Sequence, residues 1–263
     1  LDEKHIRDQL SVPPELELAQ LEIFQSIDST NKYLSERVDS PEYVRSVVLA
    51  ESQLSGRGRR GKTWVSPFAA NIYLSTLWGF ERGAEALGGL SLAVGVAVRR
   101  ALLQVGLKDV QLKWPNDIYV GQKKLGGILL EMLGDPAGHC SVVVGVGINV
   151  SMPVEAGEAI DQDWTDINSQ LNKPISRNTL VAALISHLLV LLDSFQATGF
   201  GPYRDEWQSA DAFKGQQATV TTVRDSTTGT VIGVDNGGAL EMQLASGEVQ
   251  RFIGGELSLR LVK

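Results

Sequence analysis

The stretch Ser55–Phe68 reads SGRGRRGKTWVSPF and satisfies two phosphate-binding expressions at once. Gly56, Gly58 and Gly61 spell G-x-G-x-x-G, while Gly56, Gly61, Lys62 and Thr63 spell G-x-x-x-x-G-K-T. Both motifs hold phosphate at the start of a helix, where free amides and the helix dipole meet the anion. Here Lys62 and Thr63 are followed by Trp-Val-Ser-Pro, and Pro67 biases Ser66 away from helical geometry. No helix is predicted to run on, so neither a P-loop nor a dinucleotide fingerprint fits. A kinase glycine loop is excluded because no V-A-I-K strand follows. The glycines still free the backbone for positive φ and close approach to a ligand. Arg57, Arg59 and Arg60 supply planar, permanently charged forks suited to phosphate or carboxylate. Two readings stay open from these residues alone: an anion-binding loop, mobile when empty and ordered when filled, or a solvated basic turn.

Three further stretches carry chemistry. KWPND, Lys113–Asp117, sets a lysine, a rigid turn and a carboxylate together at a strand end. In KKLGGILLE, Lys124 enters a strand whose Gly126 and Gly127 leave room for a ligand. VGVGINV ends a strand with paired glycines and Asn149. Each also has a purely structural reading: a surface lysine, a β-bulge, a turn cap.

The elements that must position these groups follow from periodicity. Strands are predicted in ELAQLEIFQSI, RSVVLAESQ, NIYLSTLWGF and CSVVVGVGINV, and VQLKWPNDIYVGQKKLGGILLEML reads as a strand, a turn at Pro115–Asp117 and a hairpin turning at Gly121–Gln122. Helices are predicted in LDEKHIRDQL, IDSTNKYLSERV, ALGGLSLAVGVAVRRALLQVG with Gly106 as its stop, NTLVAALISHLLVLLDSF as a strongly amphipathic helix, and GPYRDEWQSA. Residues 151–172 read as polar and irregular around Trp164. After about Asp211 the pattern changes to short strands broken by Thr-Thr-Gly, Asn-Gly-Gly and Ser-Gly turns, the pattern of a small β-barrel. The expected organisation is therefore a larger domain over residues 1–210 and a small barrel over 211–263. The larger domain lacks strict βαβα alternation, so its class is α+β, a mixed sheet with flanking helices.

The bulk numbers narrow the function class. A net charge of −7 over 263 residues argues against a nucleic-acid-binding chain and for a small anionic ligand at the local basic loop. The lone Cys140 excludes an intramolecular disulfide and a multi-cysteine metal site, and fits a reducing, cytoplasmic setting. No apolar run of spanning length and no signal peptide is read. The start at Leu1 rather than Met is expected to be a trimmed one. His5, His139 and His187 are read as surface or core residues without a chemical role.

Taken together, DSTN, ESQLSGRGRRGKTWVSPFAANIYLS, KWPNDIYV, KKLGGILLE, VGVGINV and the terminal GGELSLR resemble one family in order and spacing over nearly the whole chain: the biotin protein ligases, in particular the bacterial enzymes that also repress the biotin operon. The resemblance implies a catalytic domain of the biotin–lipoate ligase fold, like that of class II aminoacyl-tRNA synthetases, plus an SH3-like barrel. It implies two steps. Biotin and ATP form biotinyl-5′-AMP and pyrophosphate, and a lysine of a biotin carboxyl carrier protein then takes the biotinyl group and releases AMP.

Residue by residue, the resemblance implies Lys124 as the catalytic lysine near the biotin carboxylate and α-phosphate. Arg57 and Arg59 become arginines of the biotin loop, Arg59 retaining the adenylate. Asp117 becomes a catalytic carboxylate that either orients Lys124 or assists magnesium. Ser29, Thr30, Asn31, Gln53, Gly56, Gly58 and Gly127 become biotin contacts, with a plain helix N-cap as the other reading of Ser29 or Thr30. Arg60, Trp64, Lys113, Asn116, Asn149 and Trp164 become nucleotide contacts, and Arg260 reaches in from the barrel. Magnesium is expected to ride mainly on the ATP phosphates rather than on protein ligands. Repressor members carry an N-terminal winged helix-turn-helix that is not found here, so DNA binding by this chain is not expected, and ligand-promoted homodimerisation is. A lipoate–protein ligase of the same superfamily and a non-enzymatic sensor of biotinyl-AMP are the rival readings.

Overall fold

The computed structural model describes residues 1–222, 225–254 and 257–262. Gly255 and Glu256 of the GGELSLR stretch lie outside the described residues. A seven-stranded mixed sheet forms the frame, in the order β1-β2-β3-β7-β6-β5-β4. Its strands are β1 (Leu21–Phe24), β2 (Val47–Ala50), β3 (Ile72–Phe80), β4 (Val110–Lys113), β5 (Asp117–Val120), β6 (Lys123–Gly134) and β7 (Cys140–Ile148). Only β1 and β2 run parallel; the remaining neighbours are antiparallel.

Alternation along each strand sends its side chains to two faces. One face carries Leu74, Trp78, Val142, Val144, Val146 and Ile128 against α3 (Leu90–Gln104) and α6 (Arg177–Thr198), in the main core. The other carries Leu77 and Val143 against Leu34 of α2 (Thr30–Ser35). That short helix covers only part of the face, and the uncovered part holds the site.

Helix α6 departs from the amphipathic expectation. Twelve of its 22 residues are buried, from Leu180 to Phe195, and they lie on more than one side of the helix. Contrary to the reading that no run reaches spanning length, α6 is long and apolar enough to cross a membrane by length and composition. Its apolar surface is instead packed into the core, which is why it lacks a narrow stripe. Residues 151–172 also hold more order than expected: α4 (Val154–Gly157) and α5 (Ile167–Leu171), the latter capped by Asp166 accepting from the Ser169 N–H.

After α7 (Gly201–Ser209), the strands β8 (Gln217–Thr221), β9 (Ser226–Val234), β10 (Leu240–Gln243), β11 (Val249–Phe252) and β12 (Ser258–Leu261) pair antiparallel in the order β11-β10-β9-β8-β12. This is the antiparallel sheet expected after Asp211; a closed SH3-like barrel is not confirmed. Among the described residues no ladder joins the end strands β11 and β12, so the unit is an open sheet. Its apolar face, including Val220, Val234 and Leu259, joins the main core. Trp114 Nε1 donates to Gly238 O at 3.2 Å, tying the KWPND turn to this second sheet.

Candidate active site

The uncovered sheet face is floored in large part by glycines and a serine, which leave space above them. Ser75 of β3 pairs with Gly145 of β7, and Tyr73 pairs with Gly147. Gly147 and Gly145 pair in turn with Gly127 and Leu129 of β6. The space above has a volume of about 450 Å³.

A β-bulge brings Lys124 to this floor. Residues 124 and 127 differ by an odd number and would face opposite ways in a regular strand. However, β5 pairs Tyr119 with Lys124 and Ile118 with Gly126, leaving Leu125 as the extra residue. Lys124 and Gly127 therefore share a face, and a Cβ on Gly127 would lie 3.5 Å from Lys124 Nζ. The backbone of Lys124 is held on its other side too. Its N–H donates to Asp163 O at 3.0 Å, and its carbonyl accepts from the Thr165 N–H at 2.9 Å.

Asp117 sits between two lysines. Its carboxylate lies 2.6 Å from Lys124 Nζ and 3.6 Å from Lys113 Nζ, and the three side chains are only 12–15% exposed. Burial pushes the Lys113 ammonium below its ordinary range; Asp117 opposes the shift and Lys124 adds to it. This geometry supports the orienting role for Asp117. It speaks against a magnesium ligand, because both oxygens already face cations. No cluster of three or more potential metal ligands occurs among the described residues.

The arginine stretch folds into a hairpin over this floor. Gly58 N–H donates to Lys62 O at 2.7 Å and Trp64 N–H to Gly56 O at 2.9 Å, with a one-turn 3-10 tip at Arg59–Gly61. Arg60 takes φ 59° at that tip, a left-handed conformation uncommon for a residue with a side chain. The glycines serve the hairpin itself. A Cβ on Gly56 would fall 2.4 Å from Trp64 O, and Gly56 is not among the residues lining the cavity. Arg59 Nη1 donates to Asn116 Oδ1 at 3.0 Å, and Asn116 Nδ2 donates to Ile128 O at 2.7 Å. Asn116 is thus a strut for Arg59 as well as a cavity residue. Burial lowers the Arg59 pKa, with Asp117 opposing and Arg60 assisting.

Polar groups line one end. Ser29 caps α2, accepting from the Lys32 N–H. Thr30 N–H donates to Gln53 Oε1 at 2.9 Å, and Gln53 Nε2 to Ser66 Oγ at 3.3 Å. Ser75 Oγ lies 2.7 Å from Thr30 Oγ1 and 2.6 Å from Asn31 Oδ1. The aromatic side is built on glycines. A Cβ on Gly147 would fall 2.6 Å from Trp64 Cε2, and one on Gly157 would fall 2.1 Å from Trp164 Cζ2. Asn149 is buried, its Nδ2 donating to Thr165 O at 3.0 Å. Its Oδ1 and the Trp64 Nε1 have no hydrogen-bond partner among the described residues, an arrangement that buried polar atoms seldom keep without a ligand or water.

The structure thus brings every sequence-predicted site residue except Gly56 to one cavity, with Arg260 of β12 among them. Gly145 and Gly147, the paired glycines of VGVGINV, also line it, as do Tyr73 and Ser75, which were not singled out from the sequence. The alternation in NIYLSTLWGF, which sets Tyr73 and Ser75 on one face, was the available signal.

Comparison with known proteins agrees with this geometry. Residues 23–149 match the Biotin/lipoate A/B protein ligase family, and residues 214–260 match the Biotin protein ligase C terminal domain. The Bifunctional ligase/repressor BirA of Escherichia coli (strain K12) is 38% identical over 234 residues, 89% of this chain and 72% of that protein. The Biotin--[acetyl-CoA-carboxylase] ligase of Paracoccus denitrificans is 31% identical over 224 residues, 79% of this chain and 90% of that one. Among solved structures, the biotin protein ligase from Aquifex aeolicus in complex with biotin and ATP superposes with a TM-score of 0.79 at 27% identity, covering 92% of this chain and 99% of that one. With the glycine floor, its lysines, the arginine hairpin and these relatives in view, the chain belongs to the biotin protein ligase family.

Proposed function

We propose that the chain is an ATP-dependent biotin–protein ligase that forms biotinyl-5′-AMP and passes biotin to a lysine of a biotin carboxyl carrier protein. The observation that carries this reading is Lys124 Nζ, held 2.6 Å from Asp117 on a glycine floor beneath an arginine hairpin. In the first step a biotin carboxylate oxygen attacks the α-phosphorus and pyrophosphate leaves. Two anions must meet, so cations belong where charge builds. Lys124 stands at that point and Asp117 aims it. Arg57, Arg59 and Arg60 approach from the hairpin, and Arg59 retains the adenylate. The amine of the carrier lysine then attacks the acyl carbon, forming an amide and releasing AMP.

The Ser29–Thr30–Asn31–Gln53 group matches the ureido end of biotin, with Gly58 and Gly127 giving close backbone approach. Trp64, Trp164, Asn149, Lys113 and Asn116 surround the nucleotide. Magnesium, in this reading, arrives on the ATP phosphates. The minor unit begins near Asp211, and ligand promotes pairing of two copies at a sheet edge. The test is transfer to a purified carrier domain with ATP, biotin and lipoate supplied in parallel. Biotinylation of one carrier lysine is expected. Transfer of lipoate alone would reassign the substrate, and tight biotinyl-AMP binding without transfer would leave a sensor.

A further inference from the structure

Glu131 lies outside the cavity lining, yet it touches both halves of the site. It follows Gly127 and Leu129 on the site face of β6. One carboxylate oxygen forms a short ion pair with Arg57 Nη2 in the hairpin. The other accepts from Asn31 Nδ2 at 2.7 Å. Asn31 is 4% exposed, and its Oδ1 faces Ser75 Oγ at 2.6 Å. We infer that Glu131 is a positioning residue that ties the arginine hairpin to the polar floor and fixes which way the Asn31 amide faces.

Donors and acceptors decide the orientation. An amide can be turned over with little change of shape, exchanging its donor and acceptor. A carboxylate accepts only, so, together with the Leu129 carbonyl, it requires Nδ2 on its side and leaves Oδ1 toward Ser75. Behind Asn31, Gly145 permits the close fit: a Cβ there would fall 2.2 Å from Oδ1. The same carboxylate holds Arg57, so the hairpin closes over a floor whose polarity is already set. For a ligand with an acceptor and donors at its polar end, that setting decides whether it is recognised. This last step rests on the ligase reading above; the tie between hairpin and floor does not.

Two variants separate the arms. Glu131→Gln keeps an acceptor for Asn31 but loses the charge that holds Arg57. Glu131→Ala loses both. Arg57 and Glu131 are 40% and 28% exposed, and ion pairs of that kind shift an equilibrium by at most about fivefold. Losing a hydrogen bond to a charged group shifts one by about tenfold or more. The first measurement is tryptic cleavage within 55–66 without ligand, which should rise about threefold to fivefold in both variants. The second is the KM for biotin against the KM for ATP. Glu131→Ala should raise the biotin KM about tenfold with the ATP KM within about twofold, and Glu131→Gln should restore most of the biotin affinity. Cleavage of Glu131→Gln at the parent rate would overturn the inference. So would equal biotin KM values for the two variants, or matching rises for biotin and ATP. A parent protein that binds no biotin would sink the ligase reading instead, and the cleavage comparison would still judge Glu131.

Discussion

Asp117→Asn is the sharpest perturbation of the site because it removes one charge and little volume. Asp117 neutralises two ammonium groups in a space where all three side chains are at most 15% exposed. The amide can still accept one bond from Lys124, so the loss is electrostatic rather than steric. A hydrogen bond to a charged partner contributes about 1.5–3 kcal/mol, which at about 1.4 kcal/mol per decade is roughly a ten- to hundredfold loss of rate. Adenylation should carry that loss, read as pyrophosphate release, while the KM for biotin moves less than about threefold. The pH profile should change too. Burial already lowers the Lys113 pKa, and Asp117 is the influence that opposes it. Without Asp117 the ammonium gives up its proton at lower pH, so activity that needs it falls earlier as pH rises. The variant's alkaline limb should therefore shift to lower pH. A parent-like rate with an unshifted alkaline limb would refute the orienting role.

Other outcomes follow from the same geometry. Arg59→Gly should release the adenylate and biotinylate bystander proteins, and Asn116→Ala should do so more weakly by removing the 3.0 Å strut; the readout is labelling of albumin added to the reaction. Trp164→Ala should raise the KM for ATP about tenfold, the scale of one aromatic–base stack, with the biotin KM nearly unmoved. Gly145→Ala drives a methyl to 2.2 Å from Asn31 Oδ1 and should lower stability by about 1–3 kcal/mol in thermal unfolding, whereas Gly201→Ala, with open space around it, should stay within about 0.5 kcal/mol. Asp211 is half-buried with its Oδ2 enclosed, and desolvation raises its carboxyl to about 6 from 3.8, so the folded state binds the extra proton between those values. Stability should then fall as pH rises from about 4 to about 6, by up to about 3 kcal/mol, and Asp211→Asn should flatten that slope in unfolding curves taken across the window.

Much of this was legible in residue order because local rules agree with the fold. Gly106 stops α3, Gly121 turns the β5–β6 hairpin, and Pro67 denies a helix after Thr63. Both readings of the α2 start hold at once, since Ser29 caps the helix while Thr30 and Asn31 turn into the site. What could not be read depends on pairing across the sheet. The extra residue Leu125 exists only relative to β5, yet it decides that Lys124 faces the site. Gly147 acquires its meaning from Trp64, far away in sequence, and Glu131 from Arg57 and Asn31. The terminal strands showed their turns but not their ladder partners, so the antiparallel sheet was legible and its closure into an SH3-like barrel was not.

The most direct test is a crystal structure of the protein soaked with biotin and a nonhydrolysable ATP analogue. The biotin carboxylate and the α-phosphate should both lie within hydrogen-bond reach of Lys124 Nζ, beneath Arg59. A carboxylate bound away from Lys124, or an arginine hairpin holding only the terminal phosphates, would contradict the central claim.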